Sequence, residues 1–126
     1  MICYEGIFAE EIGSDEARPS FLLLITNDAW FGKGAGPEQH LAQARLRAIE
    51  QGLPMIRAAN TGISAVIDPN GRILDSLPLD TAGFIDVSLP AAYSPTIYSA
   101  AGDNPAIVLT LILIGIGGLR NGRIPH

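Results

Sequence analysis

The chain has 126 residues, of which 48% are apolar and 17% charged, and its formal net charge is −5. That length fits one domain or most of one, and the acidic balance argues against nucleic acid or a polybasic membrane patch as partner. The single cysteine, Cys3, excludes an internal disulfide framework.

Met1-Ile2-Cys3-Tyr4-Glu5 reads as the end of a buried strand turning sharply into a loop or helix, which lifts the sulfur to a sheet edge. A thiol so placed is a candidate acyl-accepting nucleophile once a base removes its proton. A buried structural cysteine is the alternative. No basic region followed by an apolar run opens the chain, so no signal peptide is read. A strand with no preceding turn or cap leads to the expectation of a C-terminal piece of something longer. Residues 7–12 read as a short helical turn, and Gly13-Ser14-Asp15-Glu16 as a solvated loop.

Phe21 to Thr26 is an unbroken apolar run of strand length, which predicts a central strand covered on both faces. Asn27-Asp28-Ala29-Trp30-Phe31-Gly32 follows at its carboxyl end, where open α/β sheets place ligands. Gly32-Lys33-Gly34-Ala35-Gly36 lacks the Ser or Thr that must follow the lysine of a phosphate loop, so nucleotide binding is not expected.

Pro37 and Glu38 open a helix that Gly52 closes. Ala42, Leu46, Ile49 and Leu53, backed by Leu41, Ala44 and Ala48, predict its inward face; Gln39, Gln43, Arg47 and Glu50 take the other. His40 is expected at the surface or in a cap, because no second histidine lies nearby to make a metal pair. Neither a metal nor a cofactor is expected.

Residues 54–59, 63–67 and 72–77 predict strands, the last two joined through Asp68-Pro69-Asn70-Gly71 as a hairpin. Gly83 to Val87 predicts one more strand, and Tyr93 to Asn104 reads as irregular. Pro105 to Leu119 is apolar on every face. Its length leaves a buried helix and a membrane span equally open. If the run spans, Arg120 and Arg123 place the C-terminus in the cytoplasm.

Ile2-Cys3-Tyr4-Glu5 resembles the nucleophile segment of the nitrilase (carbon-nitrogen hydrolase) superfamily. Thr26 to Gly32, Gln39-His40, Arg47 to Glu50 and Arg57 to Ser64 look like its bacterial membrane branch, the apolipoprotein N-acyltransferases. The resemblance implies a partial αββα sandwich over residues 1–99, a last transmembrane helix over 100–119 and a basic cytoplasmic tail over 120–126. The catalytic part would lie on the periplasmic side of the inner membrane. By the same resemblance, Cys3 takes a fatty acyl group from a phospholipid as a thioester. It then passes the group to the amino terminus of a diacylglyceryl-modified prolipoprotein. The Tyr4 backbone N–H helps hold the oxyanion, and Glu5 matches the family's supporting glutamate. Asn27, Trp30 and Phe31 suit a substrate pocket, with core packing as the alternative for the two rings. The family's general-base Glu and catalytic Lys lie upstream of the cysteine, and Lys33 does not match that position. The 126 residues alone are therefore expected to be inactive. A soluble nitrilase-type amidase and a non-catalytic fragment with an inert cysteine are the competing readings.

Overall fold

The computed structural model describes residues 1–9, 12 and 18–121, without the side chains of residues 119–121. Four strands form one mixed sheet in the order β1-β2-β3-β4: β1 (Leu22–Asn27), β2 (Met55–Asn60), β3 (Ser64–Ile67) and β4 (Ile73–Leu77). β1 and β2 run parallel, in register from Leu22 with Met55 to Asn27 with Asn60. The connection between them is α1 (Gly36–Gln51), since parallel neighbours need a long crossover. β2, β3 and β4 then pair antiparallel.

The expected hairpin is present between β3 and β4. Asp68 N–H donates to Arg72 O and Gly71 N–H to Asp68 O, both at 2.9 Å. The Asp68 carboxylate accepts from the N–H groups of Asn70 and Arg72, each at 2.8 Å. Gly71 sits at φ +76°, in the left-handed region, where its missing Cβ also leaves room for Ile49.

The core lies between one sheet face and α1. Leu22 and Leu24 of β1, Met55 of β2 and Ala65 and Ile67 of β3 meet Leu41, Ala44 and Ala48 of α1, with Leu53 and Ile12 at its margin. Each buried leucine here contributes about 1.5–3 kcal/mol relative to exposure. Helix α1 starts at Gly36 with Pro37 in its first turn and ends at Gly52, whose φ of +62° is a left-handed cap. Its inward face differs from the one the apolar spacing predicts. Pro37, His40, Leu41, Ala44, Ala48 and Gln51 are buried, whereas Ala42, Leu46 and Ile49 are exposed. The buried set follows an i, i+4, i+8 stripe that admits polar His40 and Gln51 because both ends of the helix meet polar turns.

Several other expectations are corrected. β1 is covered on one face only: its burial alternates, and Leu23 and Ile25 are exposed on the face away from α1. An unexpected helical turn spans Cys3–Ile7, ahead of the expected one, within which Ile12 N–H donates to Ala9 O at 3.3 Å. The rest of the expected 7–12 turn falls partly on residues 10 and 11, outside the described residues, as does the loop over 13–16. Residues 83–87 form no strand, and Phe84 stands in solvent. The stretch read as irregular contains α2 (Ile97–Ala101), capped by the Thr96 hydroxyl accepting from Ser99 N–H at 2.9 Å.

The terminal run forms α3 (Asn104–Asn121), 18 residues or about 27 Å. Its side chains from Asn104 to Gly118 are all exposed among the described residues. Among the described residues no helix is long and apolar enough to cross a membrane.

Candidate active site at the carboxyl edge of the sheet

Cys3 follows an isolated bridge rather than the end of the buried strand expected, and Ile2 is exposed. Ile2 bridges Ile25 in parallel, so Met1 and Ile2 form a stub beside β1. Met1 accepts from Ile25 N–H at 3.2 Å, and its own amino group donates to Leu23 O at 3.1 Å. Cys3 then leaves the sheet at φ +54°, a left-handed conformation that a non-glycine residue holds at a cost of about 1–3 kcal/mol. The sulfur-bearing residue is neither walled in nor fully exposed.

Four contacts hold this turn. Glu5 N–H donates to Ile2 O at 3.3 Å, and the Glu5 carboxylate accepts from Ile2 N–H at 2.7 Å, tying the residues on both sides of Cys3 together. Gly6 lies against Leu24, where an added Cβ would meet Leu24 Cδ1 at 3.0 Å. From α1, Arg47 Nη1 donates to Ile7 O at 3.1 Å while its Nη2 pairs with Glu50 Oε1 at 2.8 Å. Burial pushes the Glu50 carboxyl above its usual range, and Arg47 beside it works the other way. Tyr4 is exposed and packs edge-to-face on Phe8, with ring centroids 5.9 Å apart.

The second group of candidate residues emerges at the same edge. Asn27 ends β1 and its side chain accepts from Ala29 N–H at 3.2 Å, capping a short turn, Asp28–Phe31. Asn60, its partner in register at the end of β2, donates to the same oxygen at 3.2 Å. Trp30 is 84% exposed. It is therefore not core, and it projects from the turn into solvent rather than lining an enclosed wall. Phe31 packs over His40, its ring 5.4 Å away, and against Gly36, where a Cβ would stand 2.6 Å from that of Phe31.

Beneath this turn is a buried polar cluster that the sequence reading missed. Asp28 and Arg57 are each 1% exposed and His40 4%. The Asp28 carboxylate accepts from Thr26 Oγ1 at 3.2 Å, from His40 Nδ1 at 2.9 Å and from Arg57 Nη2. Arg57 also donates through Nε to Ile63 O at 3.1 Å. Because an ionised carboxylate only accepts, His40 carries its proton on Nδ1. Burial pulls the Arg57 guanidinium below its ordinary pKa, and Asp28 opposes that shift. His40 is thus not the surface or cap residue expected. A readable signal was available: Arg57 alternates with Met55 on the inward side of an apolar strand, and a charge there requires a partner.

A cavity of about 480 Å³ opens next to this edge, lined by Asn60, Thr61, Ser64, Asp80 and Thr81 among others. Lys33 lies outside the cluster, exposed and paired with Asp80 at 2.8 Å, and that bond raises its pKa. Among the described residues no group of three His, Cys, Asp or Glu side chains is placed to hold a metal.

Cys3 thus takes a left-handed conformation just past an isolated parallel bridge to β1, at the edge of a mixed sheet backed by a helix. The sequence pattern of the carbon-nitrogen hydrolase family matches residues 1–98, and the chain belongs to that family. Within it, the chain is similar to apolipoprotein N-acyltransferases. It is 55% identical to that of Rhodopseudomonas palustris over 95% of this chain and 22% of the relative. Identity to the Bradyrhizobium diazoefficiens protein is 56% over 90% of this chain and 21% of the relative. For Brucella melitensis it is 47% over 98% and 24%. The chain therefore spans less than a quarter of the length of these curated relatives.

Proposed function

We propose that the chain is the nucleophile-bearing part of an apolipoprotein N-acyltransferase. The carrying observation is Cys3, held at φ +54° on a turn that opens at the carboxyl edge of the sheet. The Cys3 thiolate attacks the ester carbonyl of a phospholipid, and the tetrahedral adduct collapses to a thioester as the lysophospholipid leaves with a proton. The α-amino group of a diacylglyceryl-modified lipoprotein then attacks the thioester, forming the amide and returning the thiolate. Tyr4 N–H precedes the first hydrogen bond of its turn, from Glu5 N–H to Ile2 O, and is assigned to the developing oxyanion. Glu5 holds the backbone ahead of Cys3 and positions the nucleophile. The general base and the lysine come from elsewhere in a longer polypeptide.

Asn27 and Phe31 form the floor of the substrate region, and Trp30 reaches from it toward the lipid. Helix α3, with Ile107, Leu111, Ile114 and other apolar side chains exposed, lies in the hydrocarbon of the inner membrane as part of a span. The sheet is then on the periplasmic side and the C-terminus in the cytoplasm. The supporting facts are the identity to named acyltransferases over nearly the whole chain and the apolar surface of α3.

The test supplies phospholipid vesicles and a diacylglyceryl peptide to the full polypeptide carrying this chain, and follows products by mass. The expected product is the N-acylated peptide, abolished by Cys3→Ala. Release of free fatty acid with no acylated peptide would instead mark a hydrolase.

A further inference from the structure

The buried Asp28–His40–Arg57 cluster joins three segments that reach the carboxyl edge separately. Asp28 opens the turn that carries Trp30 and Phe31. His40 comes from the first half of α1, and its ring supports Phe31. Arg57 lies on β2, and its Nε bond to Ile63 O fixes the far side of the Thr61–Gly62 turn. Gly62 itself admits no side chain: an added Cβ would stand 2.3 Å from Asp28 Oδ2. Thr61, at φ +58°, holds a second non-glycine left-handed conformation on that turn and lines the neighbouring cavity. The cluster therefore sets the distance between the turns that follow β1 and β2 at the carboxyl edge.

Replacing a buried ion pair with apolar residues is often neutral or stabilising, so stability alone is weak ground for such a group. The cluster is also incompletely satisfied among the described residues, with His40 Nε2 and Arg57 Nη1 buried and without a partner. What it supplies is a fixed geometry.

The geometry points to Asp28, His40 and Arg57 as positioning residues that hold the Asn27–Phe31 and Thr61–Gly62 turns in register, at the sheet edge from which Cys3 also emerges, for acyl transfer. This rests on the acyltransferase reading above. The link runs through one nitrogen of His40. The Nδ1–H group bonds Asp28, and Nε2 bonds nothing described. An asparagine amide can replace an Nδ1–H donor, whereas a glutamine amide reaches toward the Nε2 position.

The test uses the full polypeptide in phospholipid vesicles and compares His40→Asn, His40→Gln and Asp28→Asn with the parent. Folded fraction comes from thermal unfolding, thioester formation on Cys3 from intact mass, and both steps are expressed per folded molecule. His40→Asn should retain thioester formation within about threefold. His40→Gln should lose on the order of 10–10²-fold in the maximal rate with little change in the phospholipid concentration for half-maximal rate, the penalty of a misplaced reacting geometry. Asp28→Asn should behave like His40→Gln wherever it folds. Equal rates per folded molecule in the parent, His40→Asn and His40→Gln would overturn the positioning role and leave a purely structural one. A parent that forms no thioester at all would overturn the acyltransferase reading, and this inference with it.

Discussion

At the scale of single residues, the conformation of Cys3 carries the clearest energetic signature. Its left-handed φ is one that glycine adopts without penalty and an L-residue does not. Cys3→Gly should therefore be more stable than Cys3→Ala by about 1 kcal/mol, since the alanine keeps the strained Cβ. Chemical denaturation of the two variants checks this, and equal midpoints would mean that the turn relaxes once the thiol is gone. Gly62 has the opposite requirement. Gly62→Ala drives a methyl into the Asp28 carboxylate and should cost about 1–3 kcal/mol by overpacking, read in the same way. The sharp turn at Cys3 was legible from local signals, although an isolated bridge stands where a strand was expected. His40 was not, because its partner Asp28 comes from another element and no local pattern marks a histidine as its donor.

At the scale of elements, the strands and α1 were largely legible, since β1, β2, β3 and β4 begin and end within a residue or so of the apolar runs. Where apolar pattern and burial diverge, the cause is what lies opposite. Leu46 and Ile49 fit a helical stripe, yet α1 is rotated so that His40, Leu41, Ala44 and Ala48 face the sheet. Gly83 to Val87 has strand composition but forms no strand. The rotation of α1 gives a direct contrast between two chemically equal changes. Leu41→Ala should cost about 2–5 kcal/mol, while Leu46→Ala, half exposed, should stay within about 1 kcal/mol. Thermal unfolding separates them, and the reverse order would restore the stripe read from spacing.

At the scale of the whole molecule, two apolar surfaces remain uncovered: the face of β1 carrying Leu23 and Ile25, and all sides of α3 over its described side chains. Apolar patches of this kind mark surfaces made to meet something else. Within the proposed acyltransferase, α3 faces lipid, and removal of residues 104–126 should shift the protein from the vesicle-bound to the free fraction in flotation. The 126 residues alone hold one lysine, Lys33, which is exposed and tied to Asp80 rather than directed at Cys3. On the proposed reading, Cys3 is presented here and activated by groups from outside this stretch. The most direct measurement is peptide-resolved mass spectrometry of the full polypeptide quenched in acid after exposure to phospholipid, alongside the 126-residue chain treated identically. A fatty acyl mass on Cys3 of the full polypeptide, absent from the isolated chain, is the predicted result. An acyl group on any other residue, or none in the full polypeptide, would contradict it.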